Sequence, residues 1–309
     1  MSKKRLQNRI AESKLALPLT VVYAALVCLV HGLFTSQSWF QVSCLMFSTY
    51  LMVGLNNVNA LIRIYSRMVS CSFLFLSVMA SFLLPSIPGA VVQLSFIAYY
   101  LCVFHVYQDR QSTAWSFYSF LCLGVASTVF IQILFLVPLL LIIHRTKIMA
   151  LSARTFFAAL IGIVTPYWFV GAYYLYTHQS DRLTEHVMGI AQFQPLFDYS
   201  GITTQQLLTF AFIVVVFIIG TVHFLRNSYN DKIRIRMIYE TFITANIGCI
   251  AFLVLQPQHN DILTRLIIIN TAPLIGHFIA LTRTALTNIM FIVLVSVALC
   301  LTLYNLWMF

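Results

Sequence analysis

Charge is what this sequence has least of. Only 8% of its 309 residues are Asp, Glu, Lys or Arg, against roughly 25% in an ordinary soluble domain. Carboxylates are scarcest, with eight acidic residues to eighteen basic ones. A chain so poor in charge cannot cover its apolar surface in water, which excludes a soluble enzyme or binding module. The basic residues fall in short clusters between apolar stretches and form no continuous basic face. Nucleic acid is therefore not an expected partner, and membrane lipid headgroups are the expected counter-charge. The seven cysteines all lie inside apolar stretches, with no CxxC pair. That argues against a disulfide framework or a zinc site and leaves them as small packing residues. Walker A, GxSxG, HExxH and dinucleotide signatures are also missing, so neither a cofactor nor a metal is expected.

What the sequence has instead is hydrophobicity, at 61% of residues. Apolar blocks run over residues 15–34, 39–58, 68–84, 90–107, 113–143, 155–176, 207–225, 237–255, 262–281 and 285–307. Most are close to the ~20 residues that a helix needs to cross a bilayer. The basic segment 1–14 precedes the first block without a small-residue cleavage site after it, so 15–34 reads as an uncleaved first span. Block 113–143 is the exception in length. At ~1.5 Å per residue a single helix would extend about 46 Å, too long for a ~30 Å hydrocarbon core without extreme tilt. Turned back near Gly124 to Thr128, it makes two short helices in a hairpin.

Charge decides between the two readings, because one span more or fewer flips every later loop. With the hairpin, sixteen of the eighteen basic residues fall on the cytoplasmic side, and only Arg182 and Arg265 lie outside. With a single helix the division is ten to eight. The expectation is an all-α, polytopic transmembrane helical bundle of about eleven spans, N-terminus in and C-terminus out. It comprises a cytoplasmic N-terminus (1–14) and one transmembrane domain (15–309) with a long external loop at 177–206.

That loop holds most of the polar chemistry on its side. Asp181 and Glu185 stand four apart, as do Arg182 and His186, so a helical turn would set the carboxylates on one face as an acid–base or cation-binding pair. A solvated, partly ion-paired loop is the preferred reading of the same residues. Asp198 and Tyr199 face a headgroup or sugar in one reading and form a turn before Gly201 in the other. Met188, Ile190, Phe193, Leu196 and Phe197 favour a segment packed on the membrane surface or dipping into a cavity. In the following outer turn, Arg265 stands four residues after Asp261. It either pairs with that carboxylate or grips a lipid phosphate through its planar fork. Glu240, near the inner start of its span, is expected to pair with Arg236 or Arg234, and the deep His277 to meet a neighbouring helix or serve a proton relay.

The stretch WSFYSFLCLGVASTVFIQILFLVPLLLIIHRTK, residues 115–147, resembles the short hairpin of the C superfamily of membrane glycosyltransferases, with an LGxAS turn and a basic loop after it. SARTFFAALIGIVTPYWFVGAYYLY and GHFIALTRTALTNIMF are similar to a family of polytopic inner-membrane proteins from Bacteroides-like bacteria. The resemblance implies a bacterial inner-membrane location and a polyprenyl-linked or other lipid-linked glycan as partner. That superfamily carries its catalytic acid in the first outer loop. Here residues 35–38, TSQS, contain no carboxylate, so an acid would come from Asp181, Glu185, Asp198 or Asp261. A transporter or flippase, with Asn246, Asn270 and Asn288 meeting near the midplane, and a non-catalytic assembly subunit are the alternatives.

Overall fold

The computed structural model describes residues 5–33, 38–191 and 195–308. Phe193, Lys3, Lys4 and three of the four residues of the TSQS segment lie outside them. Among the described residues the chain is all helical: α1 (Leu6–Ala11), α2 (Ala16–Val30), α3 (Trp39–Asn59), α4 (Met68–Met79), α5 (Ile87–Val103), α6 (Thr113–Val129), α7 (Val137–Thr146), α8 (Ala153–Tyr176), α9 (Ser180–Met188), α10 (Thr204–Asn227), α11 (Ile233–Leu255), α12 (Asn260–Leu281) and α13 (Ala285–Trp307). Six helical segments, containing α5, α8, α10, α11, α12 and α13, are long and apolar enough to cross a membrane. Shorter apolar helices and α3 account for the remaining apolar blocks.

Local chemistry sets the boundaries. Ser152 with Thr155, Thr203 with Gln206, and Thr284 with Thr287 form capping boxes at the starts of α8, α10 and α13, satisfying backbone N–H groups that begin a helix without partners. Ser86 caps α5 with a proline in the first turn, and α3 stops where Ala60 takes a left-handed conformation at φ 49°.

Block 113–143 does reverse, but not where its glycine suggested. α6 runs through Gly124 and Ser127 to Val129, and the chain turns at Phe130 into the 3-10 segment Ile131–Leu136 and α7. It returns to its starting end, where the Gln108 amide donates to the Ile148 carbonyl at 2.9 Å and Ser152 Oγ to the Arg110 carbonyl at 2.9 Å. Gly124 has another use. A Cβ there would lie 2.6 Å from the Ile163 carbonyl, and one on Gly162 would lie 2.6 Å from the Phe117 carbonyl. The two glycines let α6 and α8 cross backbone to backbone, as small residues do in membrane helix pairs.

The hub is α12, 94% buried over its apolar stretch and packed by α4, α5, α10 and α11. Outward surfaces are apolar instead: Leu26 is 57% exposed, Val222 47% and Leu303 69%. An apolar exterior on apolar helices calls for lipid rather than water as the solvent. Polar contacts sort the connections into two ends. At one, Asn8 donates to the Thr282 carbonyl, Arg63 to that of Asn230, and Arg234 to Asn59 and the Phe104 carbonyl. At the other, Gln41 donates to the Pro85 carbonyl, Gln132 to that of Gly189, and Asn305 to that of Met79. Every described Lys and Arg except Arg182 and Arg265 lies at or beside the first end, the basic end.

Candidate functional site

The candidate residues of the outer segment do not converge. α9 docks by its other side: His186 Nε2 meets the Ser127 carbonyl at 3.0 Å and Leu183 packs on Gly171, while Asp181 and Glu185 are exposed. Asp198 accepts from the Ser200 amide at 3.0 Å, a turn whose hydrogen bonds hold its carboxyl below the usual carboxylate range. Tyr199 donates to the Val254 carbonyl at 2.9 Å, and the Phe197 amide approaches the Leu255 carbonyl at 3.4 Å. The segment thus lies over the hairpin and α11, leaving Met188, Leu196 and Phe197 exposed, as an interfacial segment would.

Arg265 is 4% exposed and wholly committed to protein. Its guanidinium donates to Asp261 at 3.4 Å, to Gln93 at 3.3 Å and to the Leu83 carbonyl, and it lies flat against Gly89, where a side chain would collide with it. Of the two roles considered for Arg265, this geometry is the structural one: it ties α12 to α5 and to the end of α4. Glu240 pairs with Lys147 and not with Arg236 or Arg234. Arg234 is taken by Asn59, the Phe104 carbonyl and the face of Tyr107. Of the three asparagines, Asn246 donates to Thr271 at 3.1 Å and Asn270 accepts from Tyr100 at 2.6 Å. Asn288 sits apart at the basic end, accepting from the Gln7 amide.

A large concave feature lies elsewhere. A cavity of about 790 Å³ opens between α2, α3 and α4. Its walls are apolar, with Leu17 and Val21 from α2, Met46 and Val53 from α3, and Leu74 from α4. Trp39 stands at one end and Arg67 toward the other. Lining positions 39 to 53 on α3 extend over about 21 Å at the helical rise, so the cavity is a long groove. None of Asp181, Glu185, Asp198, Asp261 and Arg265 lines it. Arg67, half-buried at the basic end, has no carboxylate or carbonyl acceptor for its guanidinium among the described residues. Sequence reasoning counted Arg67 only as a topology charge. Its position just before Met68, where an apolar helix begins, marks the interface but not a groove, because the groove depends on how α2 and α3 diverge.

A bundle of apolar helices with a lipid-facing exterior and a groove of this kind has the architecture of a helical membrane protein. No family model, curated protein or solved structure matches the chain.

Proposed function

We propose that this is a multi-pass protein of a bacterial inner membrane that holds a phosphorylated long-chain lipid, acting beside a lipid-linked substrate rather than transforming it. The chain crosses eleven times, with its N-terminus and the basic end in the cytoplasm and its C-terminus outside, as the charge division supports. The observation that carries the binding role is the apolar groove ending at Arg67. An extended lipid tail matches its length and wall chemistry. An arginine at the interface without a protein acceptor among the described residues matches a phosphate, which its planar fork binds bidentately. No carboxylate among the described residues lines the groove, and this favours a holding or presenting role over glycosyl transfer.

Native mass spectrometry of the purified protein tests the reading, with phosphatidylglycerol and a polyprenyl phosphate as added probes. A charge-assisted hydrogen bond contributes about 1.5–3 kcal/mol, so Arg67→Ala should lower retention of an anionic lipid about 10-fold or more. Ala24→Phe, which fills the groove, should abolish it. Equal retention by the wild type and both variants would overturn the proposal, and preference for one probe identifies the lipid class.

A further inference from the structure

One wall of the groove is held differently from the other two. α3 packs on α4 and α5, and α4 packs on the buried hub α12, whereas α2 rests mainly on α4. α2 and α3 barely touch each other, and the groove is the space between them. On its outer side α2 offers Leu19, Val22, Leu26 and Leu29 to lipid, all more than half exposed. Lipid tails are as apolar as these side chains, so they hold a helix in the bilayer without fixing its place there. Beyond its packing on α4, two sets of polar contacts restrain α2 from outside the groove.

The first set belongs to α1, which residues 12–15 link to α2. Gln7 is 1% exposed. Its side-chain amide donates to the Ile279 carbonyl at 2.9 Å and to Thr282 Oγ1 at 2.6 Å, and Asn8 donates to the Thr282 carbonyl at 2.8 Å. The last carbonyls of a helix have no partner within it, so the amides of α1 finish α12. In return, Asn288 of α13 accepts from the Gln7 backbone amide at 3.1 Å, near the start of α1 where N–H groups lack partners. The anchor is firm, because α12 is itself tied at this end by His277 Nε2 to Asp231 Oδ2, 3.0 Å apart and both buried. The second contact is the Tyr23 hydroxyl of α2, 2.7 Å from Thr302 Oγ1 of α13. Thr302 spends its own hydrogen on the Ala298 carbonyl at 2.8 Å, so Tyr23 is the donor.

We infer that α2 is the movable wall of the groove, and that Gln7, Asn8 and Tyr23 form the latch that holds it in place. The inference rests on the lipid-holding reading of the groove. Leu17, in the first turn of α2, lines the groove toward the basic end, where Arg67 stands. Release of α1 from α12 and α13 frees that turn to move away from Arg67 and opens the groove sideways to the leaflet at the basic end. A lipid then enters or leaves from the bilayer with its phosphate kept at the interface. An ionised phosphate is thereby spared passage along the apolar wall, where an unpaired charge is costly. None of Gln7, Asn8 and Tyr23 lines the groove, so the latch governs how fast lipid exchanges, while Arg67 and the apolar walls govern how tightly it is held.

A rate and a distance, both measured on the full chain in lipid nanodiscs, make the test. The protein is loaded with phosphatidylglycerol, mixed with an excess of the deuterated lipid, and followed by native mass spectrometry. Gln7→Leu combined with Asn8→Leu should exchange lipid about 10-fold faster or more, the effect of losing several neutral hydrogen bonds. Tyr23→Phe, which removes a single hydroxyl, should exchange about 5-fold faster, and it carries the test alone where the double variant does not fold. For the distance, spin labels are placed at Leu19→Cys on α2 and Val58→Cys on α3, with the native cysteines replaced by alanine. Both positions are exposed and lie outside the groove lining. Their separation should widen when the latch residues are replaced. Exchange at the wild-type rate in the variants overturns the inference, and so does an unchanged separation. A wild type that retains neither phosphatidylglycerol nor polyprenyl phosphate overturns the lipid reading instead, and the label separation then still decides whether α1 and Tyr23 hold α2.

Discussion

At the scale of single residues, Arg265 shows how burial overrides a plausible motif. Its spacing to Asp261 gave two readings, an ion pair or a phosphate grip, and the deciding fact was not visible in spacing: Gln93 and the Leu83 carbonyl, both distant in sequence, each accept from one of the two terminal nitrogens. Loss of the guanidinium leaves those buried acceptors unmatched. Arg265→Ala should therefore destabilise the protein by about 3–5 kcal/mol, as removal of one member of a buried charged network does. Asp261 is 41% exposed, so Asp261→Ala should cost less than about 1 kcal/mol. Denaturant unfolding in detergent separates the two, and equal losses would show that the pair, not the wider network, is what matters. Both variants should retain anionic lipid as the wild type does, since neither residue touches the groove. The same lesson applies to Glu240. Its expected partners were near in sequence, but Lys147 reaches it because α7 returns the chain to the basic end.

Helices and their junctions were legible in proportion to how far local chemistry decides them. Each apolar block became one helix or helical segment, and block 113–143 became two, because length and the bilayer-sized hydrophobic run need no tertiary information. The reversal point was misplaced because a glycine inside a helix has two meanings, a break or a close approach. Gly124 belongs to the second kind, and only the partner helix reveals it. This yields a test at the same scale. Gly162→Val pushes a side chain into the α6 backbone, and Gly124→Val pushes one into α8. Carbonyls cannot move aside as a flexible side chain does, so each should lose about 1–3 kcal/mol or more. Gly171→Ala meets only the Leu183 side chain at 3.6 Å, an ordinary contact, and should be near neutral. A thermal-unfolding series that ranked all three alike would refute the crossing. The groove beside α3 and the His277–Asp231 pair were illegible for a related reason: both depend on which elements diverge or meet, and the pair joins residues 46 apart.

Over the whole molecule, the placement of charge and the alternation of the connections are separate lines of argument that meet at the hairpin. Sixteen of eighteen basic residues gather at one end only if 113–143 reverses, and the Gln108–Ile148 contact returns the chain to that end. Proposed orientation follows by parity, so two sites late in the chain discriminate it. Glu185→Cys, on exposed α9, should react with a charged, membrane-impermeant thiol reagent added outside intact cells. Arg283→Cys, between α12 and α13, should react only after the membrane is opened. The native cysteines lie within apolar helices, out of reach of a charged reagent in lipid. Were 113–143 to cross once, every later loop would change sides and the two results would exchange. Gln111→Cys precedes the hairpin and should be protected in either case, which makes it the internal reference. Labelling at 283 from outside with protection at 185 would therefore remove the hairpin from the membrane topology. It would also turn the cytoplasmic assignment of the His277–Asp231 end around, while leaving Arg67 and its groove, which precede the hairpin, where they are.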